Sequence, residues 1–141
     1  MDPRTLAVDA RLESLPVVAR WLQEAARAER LPYDVAFGLD LAVHEAVENV
    51  VRHGCDDGAP HAMRLTMRRG ERQVEVVVED DGRAFDPMSV APPHVPHRLE
   101  DVIPGGQGIH LMRYFTDEIR YSREEGHNVL VLARRLSPEA G

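Results

Sequence analysis

The sequence is poor in cysteine, in positive charge and in long apolar runs, and each shortage excludes something. Cys55 is the only cysteine, so no internal disulfide can form and a reducing cytoplasm is favoured. The 17 Lys and Arg against 24 Asp and Glu give a net charge of −7, which argues against a nucleic-acid partner. No run approaches the roughly 20 apolar residues of a membrane span, and the start, Met1-Asp2-Pro3-Arg4, does not resemble a signal peptide. We expect a cytoplasmic protein with no membrane segment.

The length suits one domain, residues 1–141, large enough to bury about two-thirds of its unfolded surface. Hydrophobic periodicity predicts, in chain order, an edge strand over 4–11, helices over 15–29 and 34–53, a β-hairpin built on 63–68 and 74–78, a helix from Gly108 to Phe115, and strands near 117–123 and 127–135. Ser14 is the expected N-cap of the first helix and Gly54 the expected C-terminal cap of the second. This order predicts an α+β two-layer sandwich, with a mixed, mostly antiparallel sheet and about three helices on one face.

Two polar residues lie where the buried and exposed faces of the second helix meet. Glu45 and Asn49 are four positions apart, one turn along the same face. The amide carbonyl of Asn49 could give Mg²⁺ one oxygen ligand without adding negative charge beside a triphosphate. Glu45 could accept a proton from an attacking hydroxyl or orient a water molecule. Two ordinary surface residues would give the same pattern, so the pair alone does not decide.

A carboxylate stands at the end of the valine-rich strand over 74–78. An unpaired carboxylate is costly in such a buried position, but Asp80 could accept a hydrogen bond there from an exocyclic amine such as the 6-amino group of adenine. Gly82 would let the base approach the backbone closely. An ordinary Asp-Asp-Gly turn is the alternative interpretation.

A glycine-rich segment precedes the third predicted helix. Residues 86–106 are rich in proline and follow no periodic pattern, and a loop of this length within a compact domain is usually functional. In Gly105-Gly106-Gln107-Gly108, successive backbone N–H groups and the helix N-terminus could bind phosphate oxygens. The pattern is neither a Walker motif nor a dinucleotide fingerprint. A flexible hinge remains the alternative.

Taken together and in this order, the segments 39–53, 78–87 and 105–112 resemble the N, G1 and G2 boxes of the GHKL (histidine-kinase-like) ATPase superfamily, whose ATP-binding domain has the Bergerat fold. Within it, the chain is similar to the small anti-sigma-factor serine kinases of the RsbW and SpoIIAB type. The Phe85-Asp86-Pro87 continuation, the stretch from Met112 to Ile119 and the chain length carry the likeness to that branch. The resemblance extends over roughly residues 5–135.

The resemblance implies a role for each matching position. Asn49 would coordinate Mg²⁺, Glu45 would act as base or orient water, and Asp80 would recognise adenine. The other implied ATP-binding residues are Arg52, His53, Gly82, Phe85, Gly105, Gly106, Gly108 and, on the last strand beneath the base, Asn128. Residues 88–104 would form the ATP lid.

The implied function is that of an ATP-dependent protein serine kinase. It would phosphorylate a serine of an anti-anti-sigma (STAS) protein and sequester a sigma factor until the unphosphorylated antagonist displaces it. The resemblance also implies a homodimer, formed through the uncovered sheet face or the first strand.

Two departures leave another interpretation open. Ala84 stands where the G1 box commonly has a second glycine, and the lid has few basic residues beyond Arg98. The chain could therefore be a nucleotide-binding or degenerate module that only sequesters its partner, and that partner could be a regulator other than a sigma factor. A metal site built on His94 and His97, with His61 or His110, is a further alternative that the loose spacing disfavours.

Overall fold

A single antiparallel sheet and three α-helices make up the described part of the chain, which in this computed structural model comprises residues 3–55, 58–89 and 108–136. The strands are β1 (Arg4–Asp9), β2 (Ala62–Arg69), β3 (Gln73–Asp80), β4 (Glu118–Glu124) and β5 (His127–Arg135), and the helices are α1 (Leu15–Ala28), α2 (Tyr33–Asn49) and α3 (Gly108–Phe115). The five strands are ordered β1-β2-β3-β5-β4. The predicted α+β fold is confirmed, and each strand pair in the described ranges is antiparallel, so the expected mixed pairing does not occur there.

The core lies between the helices and one face of the sheet. Alternate residues of β3 point into it, and Val74, Val76 and Val78 are at most 1% exposed. On α2, buried residues recur at helical spacing from Val35 to Val47 and pack into the same cluster. None of the helices in the described ranges is long and apolar enough to cross a membrane.

The start of α1 differs from the sequence-based prediction. Ser14 does not cap the helix: it is the last residue of a short 3-10 turn, Leu12–Ser14, and its hydroxyl makes no cap hydrogen bond. The Ser14 hydroxyl donates instead to the carbonyl of Asp9, at 2.7 Å. The serine therefore ties the end of β1 to the start of α1, a longer-range contact that a local capping pattern does not reveal.

The end of α2 also differs. The α-helix stops at Asn49 and continues as one π-helical turn, Val50–Gly54. Gly54 is not a left-handed cap, because the described glycines with positive φ are Gly58 and Gly126. It is buried, and its carbonyl accepts a hydrogen bond from the backbone N–H of Arg83 at 3.0 Å. Such π turns are frequent at functional sites, and this one joins α2 to the loop after β3.

Candidate functional site

The predicted carboxylate Asp80 is buried at the end of β3, with 4% of its surface exposed. Its Oδ1 accepts two hydrogen bonds, one from the backbone N–H of Gly82 at 2.9 Å and one from Nδ2 of Asn128 at 3.0 Å. Burial raises the pKa of Asp80, while these hydrogen bonds and the charge of Arg123 oppose the rise. The carboxylate is thus desolvated yet supported by donors on one of its two oxygens.

Asn128 connects this carboxylate to two other elements. It stands directly opposite Asp80 in the β3–β5 register. Its Nδ2 also donates to the carbonyl of Arg83 at 2.8 Å, and its Oδ1 accepts from the backbone N–H of Phe85 at 3.2 Å and from the hydroxyl of Tyr121 at 2.5 Å. One side chain therefore joins β3, the loop after it and β4.

The loop after β3 passes unusually close to the π turn. A Cβ atom on Gly82 would lie 2.3 Å from the carbonyl oxygen of Gly54, well inside any real contact distance. Arg83 fastens the same junction, because its Nε donates to the carbonyl of His53 at 2.8 Å. From β4, Nη1 of Arg123 donates to the carbonyl of Gly82 at 2.8 Å. Glycine is required at position 82 because of this close backbone approach.

Several predicted site residues line one pocket between α2, the loop and β5. The lining includes Asn49, Asp80, Phe85 and Asn128, and the cavity volume is about 20 Å³. The amide nitrogen of Asn49 is buried and has no hydrogen-bond partner among the described residues. A buried polar atom without a partner calls for an explanation, and a bound ligand is one such explanation.

Phe85 is fixed by one contact of its backbone and one contact of its side chain. Its backbone N–H is bonded to Asn128, and its ring stacks on the imidazole of His53 with centroids 4.5 Å apart and planes 14° apart. His53 thus reaches the pocket through Phe85 and does not itself line it. The π turn is what brings the two rings together.

Glu45 and Arg52 lie beside this pocket and do not line it. Glu45 is one turn before Asn49 on α2, and burial, followed by the neighbouring charge of Glu48, raises its pKa, while His44 and Arg52 oppose the rise. Arg52 is turned to Glu48, with Nη2 3.1 Å from Oε2. A raised carboxyl pKa brings Glu45 closer to the range in which a general base works best.

Only some of the residues predicted to bind phosphate lie in the part of the chain that the structure describes. Gly108 begins α3, as expected. Gly105, Gly106 and most of the predicted lid over 88–104 lie outside the described residues, as do His94, His97 and Arg98. Within the described ranges, no cluster of three or more His, Cys, Asp or Glu residues could hold a metal ion.

Sequence reasoning missed Tyr121 and Arg123, which approach the site from β4. Both lie on the strand next to Asn128, and the register pairs Tyr121 with Leu130 and Arg123 with Asn128. One signal was available: Tyr121 sits at an alternating position of the strand, and a half-buried tyrosine usually has a partner for its hydroxyl. The partner of the Tyr121 hydroxyl could not be predicted, because it is Asn128, which belongs to another strand.

The residues present fit a magnesium nucleotide. Asn49 lines the pocket, and its side-chain amide carries a carbonyl oxygen, a neutral ligand of the type that Mg²⁺ prefers. Asp80 provides a buried acceptor at the same pocket. A single protein oxygen and a buried acceptor suit a metal held mainly by phosphate and a base held by hydrogen bonds.

The chain is similar in sequence to a known family and to several characterised proteins. Residues 8–134 match the family model described as a histidine kinase-like ATPase domain. Over 120 residues, the chain is 37% identical to the serine/threonine-protein kinase BtrW of Bordetella bronchiseptica, covering 85% of this chain and 84% of that protein. It is 27% identical over 128 residues to the serine-protein kinase RsbW of Bacillus subtilis, covering 88% of this chain and 80% of that protein.

A solved structure supports the fold alone. The crystal structure of the RsbU and RsbW domains of a Mycobacterium tuberculosis protein matches with a TM-score of 0.67 at 18% identity. The match covers 96% of this chain, which spans only 33% of that longer chain.

We expect Gly82→Ala to destabilise the protein, because the added methyl group meets backbone atoms that cannot swing away. Overpacking of this kind typically costs about 1–3 kcal/mol, and urea unfolding would measure the change. Gly58→Ala is a contrasting control: no atom of the described residues lies within 4 Å of its added Cβ, so the cost expected there comes from its positive φ of 77°. A free energy of unfolding for Gly82→Ala equal to that of the wild type would contradict the close approach.

Proposed function

Because the chain belongs to the histidine kinase-like ATPase family, in the branch of RsbW- and BtrW-type serine-protein kinases, we propose that it is an ATP-dependent protein serine kinase acting as an anti-sigma-factor switch. The observation that carries the proposal is the buried carboxylate of Asp80, which lines a pocket together with Asn49. These are the positions at which the family recognises adenine and magnesium. The buried amide nitrogen of Asn49, which has no partner among the described residues, is consistent with a ligand at this pocket.

Recognition of the nucleotide begins with the base. Asp80 has both of its described donors on Oδ1, so its Oδ2 is the acceptor offered to the 6-amino group of adenine. Val78 and Leu130 line the same pocket and would contact the apolar faces of the ring. Ala84, which departs from the family pattern, is exposed and does not line the pocket.

Phosphoryl transfer then depends on positioning and charge. Mg·ATP, when bound, supplies the γ-phosphoryl group and neutralises its developing charge. Asn49 would hold the metal through its amide oxygen. Glu45, one turn away on α2, would accept the proton of the attacking serine hydroxyl. Gly108 at the start of α3, with Gly105 and Gly106 before it, would contact the phosphates, and residues 88–104 would cover them.

The partners follow from the branch of the family. We propose that the acceptor is a serine of a small anti-anti-sigma protein of the STAS class and that the chain sequesters a sigma factor in the cytoplasm. A homodimer formed through the helix-free sheet face or through β1 would be the working unit. β1 suits pairing between copies, because it lies at one edge of the sheet and, among the described strands, pairs with β2 alone.

A second candidate function is sequestration without catalysis. It is favoured by the arrangement of Arg52, which pairs with Glu48 and does not line the pocket, and by the small number of basic residues in the lid segment. In that case nucleotide would bind without transfer, or not bind at all. Measurements of nucleotide binding and of phosphate transfer separate these outcomes.

Calorimetric titration with Mg·ATP tests the nucleotide site. With Asp80→Asn, the Asn amide would turn its nitrogen toward the 6-amino group, so two donors would face each other. An unsatisfied polar contact of about 1–3 kcal/mol weakens binding by roughly 5- to 150-fold. Asp81→Asn is the matched control, because Asp81 contacts His61 and the backbone of Ala62 on the exposed side of the same turn. Absence of ATP binding by folded wild-type protein would refute the proposed nucleotide site.

Phosphate transfer tests the role of Glu45. A STAS-domain protein that co-purifies with the chain serves as acceptor, with its serine-to-alanine variant as the blank. We expect Glu45→Gln to lower the transfer rate by about 10²-fold or more and to leave the affinity for Mg·ATP within a few-fold. Glu48→Gln, on the same helix face as Arg52 and His44, is the control.

The pH profile gives an independent check on the same carboxylate. Because its pKa is raised, Glu45 loses its base form at a higher pH than an ordinary carboxyl does when the solution is acidified. The wild-type transfer rate should therefore fall early on acidification, and this limb should be missing in Glu45→Gln. Equal rates and equal profiles for the two proteins would rule out Glu45 as the base, whereas absence of transfer by the wild type would leave sequestration as the function.

A further inference from the structure

The side-chain amide of Asn128 has no spare hydrogen-bonding capacity. An Asn amide offers two N–H donors and two oxygen lone pairs. Here the donors go to Asp80 and to the carbonyl of Arg83, and the lone pairs accept from Phe85 and Tyr121. Asn128 can therefore touch a bound base only by giving up a protein contact.

These four partners permit one orientation of the amide. The carboxylate of Asp80 and the carbonyl of Arg83 only accept, so they must face the nitrogen. The backbone N–H of Phe85 only donates, so it must face the oxygen. The hydroxyl of Tyr121 adds a second donor to that oxygen and opposes rotation of the amide.

The consequence appears on Asp80. Gly82 and Asn128 both donate to Oδ1, and none of the described residues donates to Oδ2. Donors on a carboxylate favour its ionised form, which only accepts hydrogen bonds. The nearby charges are those of Arg123, which favours ionisation, and Asp81, which opposes it. A buried carboxylate that was not held in this way would take up a proton more readily and become a donor.

We propose that Tyr121 and Asn128 are positioning residues that keep Asp80 a hydrogen-bond acceptor, and that they thereby make the pocket select a 6-amino purine nucleotide over a 6-oxo one. The inference rests on the proposed function, because it concerns ATP bound at this pocket. The selection acts through Asp80. As an acceptor, its carboxylate matches the amino group of adenine. A 6-oxo purine would instead place a carbonyl oxygen, a second acceptor, against the carboxylate. A protonated Asp80 would match the 6-oxo group.

The test compares Mg·ATP with Mg·ITP, whose base carries the 6-oxo group. Calorimetry on the full chain gives the ratio of the two dissociation constants for the wild type, Tyr121→Phe, Asn128→Asp and Tyr114→Phe. Tyr121→Phe removes only the hydroxyl. Tyr114→Phe is its matched control, because Tyr114 is 80% exposed and lies outside the pocket.

We expect the wild type to prefer ATP by at least about 10-fold, the contribution of one hydrogen bond to a charged acceptor. Tyr121→Phe should lower this preference by about 3- to 10-fold, and Tyr114→Phe should leave it unchanged. Asn128→Asp should also lower the ratio, because it removes the Nδ2 donor from Oδ1 and places a second carboxylate beside Asp80, which favours protonation of the pair. Melting temperatures recorded alongside show whether each variant is folded.

The possible failures are distinct. If the ratio of the ATP and ITP dissociation constants for Tyr121→Phe equals that of the wild type, the inference is wrong, whether or not Asn128→Asp folds. If both affinities fall by the same factor, the hydroxyl only supports the fold. If the wild type binds neither nucleotide, the proposed function itself fails.

Discussion

The site depends on one backbone contact, the approach of Gly82 to the carbonyl of Gly54. It brings the end of α2, with Asn49, against the end of β3, with Asp80, although 30 residues separate the two along the chain. The π turn supplies the geometry on one side, since it lets the chain leave α2 toward the loop. Arg83 and Arg123 then fasten the loop from either side through backbone carbonyls. This contact adds to the core packing of α2 on β3, and together they bring the metal-binding and base-binding candidates to one pocket.

Next to this junction, the pairing of β3 with β5 provides a hydrogen-bond donor for the buried carboxylate of Asp80. An isolated ionised carboxylate is expensive to bury, whereas one that accepts two hydrogen bonds is not. The β3–β5 register places Asn128 opposite Asp80, so the strand pairing that builds the core also supplies the donor. The pairing of β3 with β5 therefore serves both the core and the site. A shift of this register by one residue would turn the core side chains to the other face and move Asn128 away from Asp80.

Much of the fold could be predicted from the sequence because its signals are local. The stripe on α2 and the alternation on β3 have clear periods, and the structure places both elements close to the predicted ranges. The candidates Asn49, Asp80 and Phe85 do meet at one pocket. Contacts between distant segments escaped prediction. The hydroxyl of Ser14 bonds across a turn, Gly54 packs against a loop, and Tyr121 reaches a residue of the adjacent strand, none of which leaves a mark in the spacing of nearby residues.

The small size of the pocket carries a thermodynamic consequence. A cavity of about 20 Å³ has room for roughly one water molecule, so a larger ligand enters only after the walls separate. One of these walls is Phe85, whose ring stacks on His53. An observed dissociation constant then exceeds the intrinsic one by the inverse of the fraction of open molecules. The affinity measured at this pocket therefore depends both on the contacts that the ligand makes and on the fraction of molecules in which the pocket is open.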